Sequence, residues 1–390
     1  IQIDSLRTTE NGVELRSTSG DAFRANAVIC AVPAPDALQL LPDCPATLAA
    51  GLRDIAYTSC VVTAFVVRGR LQERTEERRT EGIGGPQQRP HPEHSPHEGG
   101  NPLPVTALQR LALVMAGPTT DYTAFQNGYV SEDLTGGSRV QGSGGTYTYT
   151  FQTAIPADAR GTFSIGIEGR RDEVILEGTQ RQQTVRYGGV NKVIHFSVDG
   201  SPVRPRRQVA TTAKCNSCHY NLSLHGENRN AVEQCVLCHN PVETDRARRP
   251  AGEMPPESVD MRLMIHRIHT GEDLGKDKYV IYGFGNVPHD YAHVVFPAFT
   301  PNGAVGDRRN CSMCHVPGTE QLPLAETHAK VNDPRGWINP VGPQTAACVS
   351  CHASLPASSH ALANTTPLGE SCAVCHGPNS TYSVSKAHAR

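Results

Sequence analysis

Between residues 215 and 376 the chain repeats one pattern, Cys-x-x-Cys-His, five times: Cys215, Cys218, His219; Cys235, Cys238, His239; Cys311, Cys314, His315; Cys348, Cys351, His352; and Cys372, Cys375, His376. With 13 Cys and 17 His in 390 residues, chance placement gives only about 0.02 copies. Three chemistries use paired thiols at this spacing. A structural zinc site takes four ligands and usually two Cys-x-x-Cys arms, so five arms do not pair off. A thioredoxin-like dithiol occurs once, between a strand and a helix, whereas these copies sit among Asn, Ser, Pro and Gly. Covalent attachment of c-type haem alone asks for histidine every time. The two thiols add across the porphyrin vinyl groups, and the adjacent imidazole ligates the iron. The expected cofactor is haem c, five copies, held by the ten motif cysteines, with iron on the five motif histidines.

Each low-spin iron needs a second axial ligand. Twelve histidines lie outside the motifs against five methionines, so His/His ligation is expected, with lower potentials than Met/His would give. His266 and His269 lie in "SVDMRLMIHRIHTG", where Ser258 or Asp260 suits a helix cap and Gly271 suits its end. A spacing of three puts both imidazoles on one helix face, one turn apart, so a short helix would offer ligands to two neighbouring haems. The competing reading is an amphipathic helix with two exposed histidines, its apolar face built from Met261, Leu263, Met264, Ile265 and Ile268. His225 follows the first motif, His360 the fourth and His388 the fifth. Each is a candidate distal ligand.

The stretches "AGPTTDY", "GTYTYTFQTAIPADARGTFSIGIEG", "CNSCHYNLSLHGENR", "CVLCHNP", "MIHRIHTG", "VIYGFGNVPHDYAHVVFP", "NCSMCH", "CVSCHAS" and "CAVCHGP" follow one another between about Leu111 and Arg390. In order and content this run resembles the second half of the OmcA/MtrC family of outer-membrane multihaem cytochromes. The resemblance implies a β-sandwich-like domain followed by a five-haem domain, with distal ligands at His225, His266, His269, His360 and His388. His289, His293 and His328 compete for those roles. With the ligand count filled, they are expected to be surface or supporting imidazoles. His195 in "NKVIHFSVDG" is expected to be a strand residue.

The fold class is multidomain. Residues 106–204 form the β-sandwich-like domain: Tyr147, Tyr149 and Phe151 alternate with polar residues, as do Phe163, Ile165 and Ile167 after the turn-like "PADARG". "DGSPVRPRRQ" makes a short connector to an irregular, sparsely helical pentahaem domain over 205–390. Residues 71–105, charged and then rich in Pro, Gly and His, are expected to be a disordered linker, in which His91, His94 and His97 are a weak metal-binding candidate. Residues 1–70 resemble an internal α/β fragment of flavin-dependent amine-oxidase-like oxidoreductases, but carry no G-x-G-x-x-G for a dinucleotide. No function is assigned to Cys30, Cys44 and Cys60 within it. No secretion signal precedes this segment, although c-type haem attachment outside the cytoplasm calls for one. Either the true amino terminus is missing or an unrelated reading frame has been joined at the linker.

Five porphyrins in about 180 residues would supply most of the apolar core of the last domain. The formal charge of −2 becomes more negative once haem propionates are counted, which argues against nucleic acid as partner. An electron carrier rather than a substrate-converting enzyme is expected, extracytoplasmic, at the cell surface, outer membrane or periplasm. Its partners would be other multihaem cytochromes, an outer-membrane conduit, a mineral or a flavin shuttle. The alternative is a multihaem reductase of a small oxyanion such as nitrite, which needs one iron with an open position.

Overall fold

A computed structural model describes residues 3–9, 12–17 and 22–25 and, apart from 136–138, 144–145, 276–277, 301–304, 326 and 367, residues 108–389. The chain divides into two compact units. In the first, β1 (Ile3–Thr9), β2 (Gly12–Ser17) and β3 (Ala22–Ala25) form an antiparallel sheet in that order. The rest of the oxidoreductase-like fragment, the linker, Cys30, Cys44, Cys60, His91, His94 and His97 lie outside the described residues.

The second unit is built on a five-stranded antiparallel sheet. β4 (Arg110–Ala116) runs between β5 (Tyr129–Asp133) and β8 (Thr162–Ile175). The first half of β8 also pairs with β10 (Lys192–Ser197), which contains His195, and its second half with β9 (Gln183–Gly188). β4 is buried along both faces: Leu111, Leu113 and Met115 join Leu134, Tyr149 and Ile165 on one side, while Val114 and Ala116 join Tyr122, Leu237 and Cys238 on the other. A strand covered twice has no polar face, so it is an unbroken apolar run rather than an alternating one.

The two covers differ. On the first face lies the loop that follows the hairpin β6 (Gln141–Ser143)–β7 (Thr146–Thr148), through Tyr149, Phe151 and Ile155. Buried Glu132 of β5 pins that loop, accepting from Tyr149 Oη at 2.5 Å and from the Gln152 and Thr153 amides. Tyr149 and Phe151 therefore reach the core from a loop, although their alternation predicts a strand. On the second face lies a helix of the Cys-x-x-Cys-His region. Two helices follow the sheet, α1 (Thr212–His219) and α2 (Val232–Cys238). α2 sits so close that a Cβ at Gly166 of β8 would collide with the Gln234 amide and Leu237. Among the described residues this region is thus strand-rich, a five-stranded sheet covered by loops on one side and by the motif region on the other.

A buried carboxylate ties these parts together. Asp121, in the turn after β4, pairs with Arg206 and Arg207 of the connector at 3.1 and 2.7 Å and with Arg262 at 3.3 Å, and accepts the Ala329 amide at 2.6 Å. Burial raises its pKa, but Arg262, Arg207 and Arg206 outweigh that and hold the carboxyl below its ordinary range.

The remaining helices are short: α3 (Met261–Thr270), α4 (Pro343–Val349), α5 (Leu355–Ala363), α6 (Ala373–His376) and α7 (Val384–His388). No helix among the described residues is long and apolar enough to cross a membrane.

Candidate functional site

The repeated motif has one local shape. The histidine amide donates to the carbonyl of the first cysteine in four copies, His239 to Cys235 at 2.9 Å, His315 to Cys311 at 2.8 Å, His352 to Cys348 at 2.9 Å and His376 to Cys372 at 2.9 Å. The first copy lies inside α1. One helical turn puts positions i, i+3 and i+4 on the same face. Both thiols and the imidazole therefore project together, as attachment to one flat ring and its central metal requires. None of the ten motif cysteines is in a disulfide. Burial pushes the Cys238 thiol up to about 12.

α3 forms where the sequence places it. Asp260, one of the two capping candidates, accepts the Arg262 and Leu263 amides at 3.1 and 3.4 Å, and Gly271 ends the helix at φ 49°. Leu263 and Met264 enter a core with Val259, Leu274 and Tyr279, which anchors one face and leaves the His266 and His269 imidazoles to reach motif histidines.

Every motif histidine has a second imidazole opposite it. Ring centroids are 6.1 Å apart for His219 and His269, 6.0 Å for His239 and His225, 6.0 Å for His315 and His266, 6.0 Å for His352 and His388, and 6.2 Å for His376 and His360. A metal–imidazole nitrogen bond is about 2.0–2.1 Å and that nitrogen lies about 1.1 Å from the ring centre, so two rings on opposite sides of one metal have centroids about 6.2 Å apart. The five gaps match that span. His289, His293 and His328 belong to none of these pairs, and His195 Nδ1 lies 2.8 Å from Ser164 Oγ within the sheet.

The ring nitrogens are oriented as well as spaced. Nδ1 of His239, His269, His376 and His388 lies 2.8–2.9 Å from the carbonyl oxygens of Val259, Ile265, Tyr382 and Val384 respectively. A carbonyl only accepts, so Nδ1 carries the proton and Nε2 keeps its lone pair for a metal. At His315 the neighbour is Thr319 Oγ1, 3.3 Å away, whose own proton goes to the Val316 carbonyl at 2.8 Å. Burial lowers His239 and His266 to about 4, with His315 adding to the effect at His266. Both rings are therefore neutral at physiological pH, the form that binds metal.

The motifs adjoin one another in a definite order. Cys215 is near enough to Cys235 to raise its pKa further after burial, and Cys218 acts likewise on Cys314. Lys214 Nζ also donates to the Ser312 carbonyl at 2.6 Å. Cys351 of the fourth motif likewise adds to the burial shift of Cys311 in the third, and Thr270, at the end of α3, lies 3.3 Å from Cys351 Sγ through its Oγ1. Cys372 similarly adds to the burial shift of Cys348. The spatial order is thus second, first, third, fourth, fifth. Exposed apolar side chains flank it, among them Tyr220, Leu224, Leu355, Val374 and Tyr382, a surface suited to a porphyrin face. Among the described residues no cluster of three or more His, Cys, Asp or Glu is arranged to hold a bare metal ion, which a zinc centre would need.

Residues 207–389 match the family described as outer membrane cytochrome MtrC/MtrF-like, domains II/IV. That stretch is similar to MtrC/MtrF-like cytochrome domains. The chain is also 27% identical over 189 residues to the multiheme cytochrome MtrC of Shewanella baltica (strain OS185), a match covering 45% of this chain and 27% of the relative. It therefore spans about a quarter of that relative's length. Ahead of this stretch, residues 2–121 match flavin containing amine oxidoreductases. The end of that match includes β4, which pairs with β5 and β8 in the sheet that packs on the motif region. Sequence reasoning did not single out Glu168, Asn191 or Arg229, which join this sheet to the motif region. The only signal for Glu168 is a carboxylate interrupting the small and apolar run of β8.

Proposed function

We propose that the cytochrome domain holds five covalently attached haems, each with two histidine ligands, and conducts electrons among them in extracellular respiration. The observation that carries this reading is the set of five imidazole pairs at 6.0–6.2 Å. Cys215 and Cys218, Cys235 and Cys238, Cys311 and Cys314, Cys348 and Cys351, and Cys372 and Cys375 provide the thioether sulfurs. His219, His239, His315, His352 and His376 provide the proximal nitrogens, opposed by His269, His225, His266, His388 and His360. When bound, haem supplies a one-electron centre whose potential is kept low by two imidazoles. The protein's part is to hold neutral Nε2 atoms on both sides and to set successive motifs against one another, since tunnelling falls exponentially with distance.

Reduction of a small oxyanion needs an iron with an open position. A second imidazole faces every motif histidine, which favours a carrier. By analogy with MtrC, whose name marks it as a multiheme cytochrome, the partners are other multihaem cytochromes or an outer-membrane conduit. The terminal acceptor would be a mineral or a flavin shuttle, and the location outside the cytoplasm at the outer membrane.

Intact mass and haem staining of matured protein test the stoichiometry, and an oxidised-state spectrum tests the ligation. Five haems, all low-spin, are expected. A mass equivalent to two or three haems, or one high-spin centre in the unmodified protein, would overturn the reading.

A further inference from the structure

Four of the five candidate distal histidines are borne by helices: His266 and His269 on α3, His360 on α5 and His388 on α7. His225 is not. It begins a turn in which His225, Gly226 and Glu227 have φ values of 54°, 70° and 69°, the left-handed region that residues with a Cβ seldom occupy. Such a run persists only where the surroundings over-determine it.

Those surroundings belong largely to the sheet. Arg170 of β8 donates Nη1 to the Gly226 carbonyl at 2.7 Å. Asn191, just before β10, donates Nδ2 to the Asn228 carbonyl at 2.8 Å and exchanges two bonds with Asn230: the Asn191 backbone amide donates to Asn230 Oδ1 at 3.0 Å, and the Asn230 backbone amide donates to Asn191 Oδ1 at 2.7 Å. Asn228 in turn donates Nδ2 to the His225 carbonyl at 2.8 Å. Between them, Arg229 grips Glu168 of β8 through Nε at 2.6 Å and Nη2 at 3.2 Å. The Glu168 side chain is 0% exposed, and a carboxylate so placed is tolerable only while its cation stays. Burial raises Glu168, but Arg229 and Arg110 outweigh it and hold the carboxyl below its ordinary range.

We propose that Arg170, Glu168 and Asn191 are positioning residues that hold the His225 imidazole opposite His239, so that the strand region completes the second haem centre. The proposal rests on the bis-histidine reading. It gives the sheet a defined task at one haem, whereas the helix-borne ligands do not depend on the clamp.

The test uses the full, haem-loaded chain and compares His225→Ala, Asn191→Ala, Glu168→Gln and Arg170→Ala by haem content, oxidised-state spin and carbon monoxide binding after reduction. His225→Ala should keep five haems and open one to carbon monoxide. Asn191→Ala and Glu168→Gln should open that one site and no other, wholly or in part, and added imidazole should return it to low spin. A purely structural role would lower thermal stability without this signature. Arg170→Ala, at a half-buried side chain, should give a smaller fraction at the same site and decides the matter if the two buried variants fail to mature. If His225→Ala opens a site while every matured clamp variant stays closed, the proposal is overturned and the ligand reading stands. If His225→Ala opens none, the ligand reading itself has failed and the proposal with it.

Discussion

His266 and His269 differ by one helical turn but face different motif histidines, His315 and His219. Changing either to alanine removes one donor and leaves thiols and proximal imidazole untouched. Each variant should keep five haems, gain one high-spin signal and bind carbon monoxide at one site, and the double variant at two. His328→Ala and His195→Ala should stay silent; a high-spin signal from His328→Ala instead would reassign the ligand. Ring orientation gives a second expectation. The imidazole planes are crossed by 82° in the His219–His269 pair and 88° in His376–His360, but by only 16° in His315–His266. Crossed axial rings leave two iron d-orbitals nearly degenerate and parallel rings split them. Paramagnetic resonance of the oxidised protein should therefore contain strongly anisotropic signals from the first and fifth centres and a well-resolved rhombic signal from the third. Loss of the anisotropic class in His269→Ala,His360→Ala protein would support the assignment; its persistence would refute it. The five motif histidines could be singled out in advance because Cys-x-x-Cys-His is a local pattern with a chemical reason for each residue. Glu168 could not, because what makes it matter is Arg229, sixty-one positions away, and alternation along β8 puts it on the face expected to be wet.

Among the elements, α3 was legible from its cap, its period and its terminal glycine, all of which are local. β4 was not. Its continuous apolar run carries no period of two, and nothing nearby in sequence says that α2 will cover its second face. On the proposed ligation α3 delivers two ligands, so its stability bears on two centres. Replacing Asp260 by alanine removes a cap that accepts two amides and a 3.0 Å partner of Arg262, a loss of about 1–2 kcal/mol. Thermal unfolding of the loaded protein should fall accordingly, while haem content remains at five. An unchanged transition would mean that ligation alone holds the helix.

For the whole molecule, buried carboxylates of opposite character set the response to pH. Burial pushes Glu257 up from 4.5 to about 7, with Arg267 and Arg335 opposing only in part, and burial does the same to Glu243. Between those values the unfolded chain releases a proton that the folded one keeps. Their contribution is therefore full below about 4.5 and lost as pH rises through about 7. Asp121 and Glu168, held low, act in the other direction and lose their contribution on acidification. Glu257→Gln should flatten the alkaline fall in denaturant stability between about pH 5 and about pH 8; an unaltered slope would assign it elsewhere. Removal of residues 1–100, with a secretion signal supplied, should leave haem content and redox titration unchanged, since all five motifs lie in the second unit; flavin lost on deletion would contradict this. The imidazole pairs have a last consequence, for topology. His219–His269 and His266–His315 span overlapping stretches that interlock at α3, and His360–His376 is nested inside His352–His388. On the proposed ligation a metal joining each pair would turn these spans into closed loops that restrict the unfolded chain much as disulfides do. Cutting one tie then slackens a single loop and leaves the loop linked with it fastened.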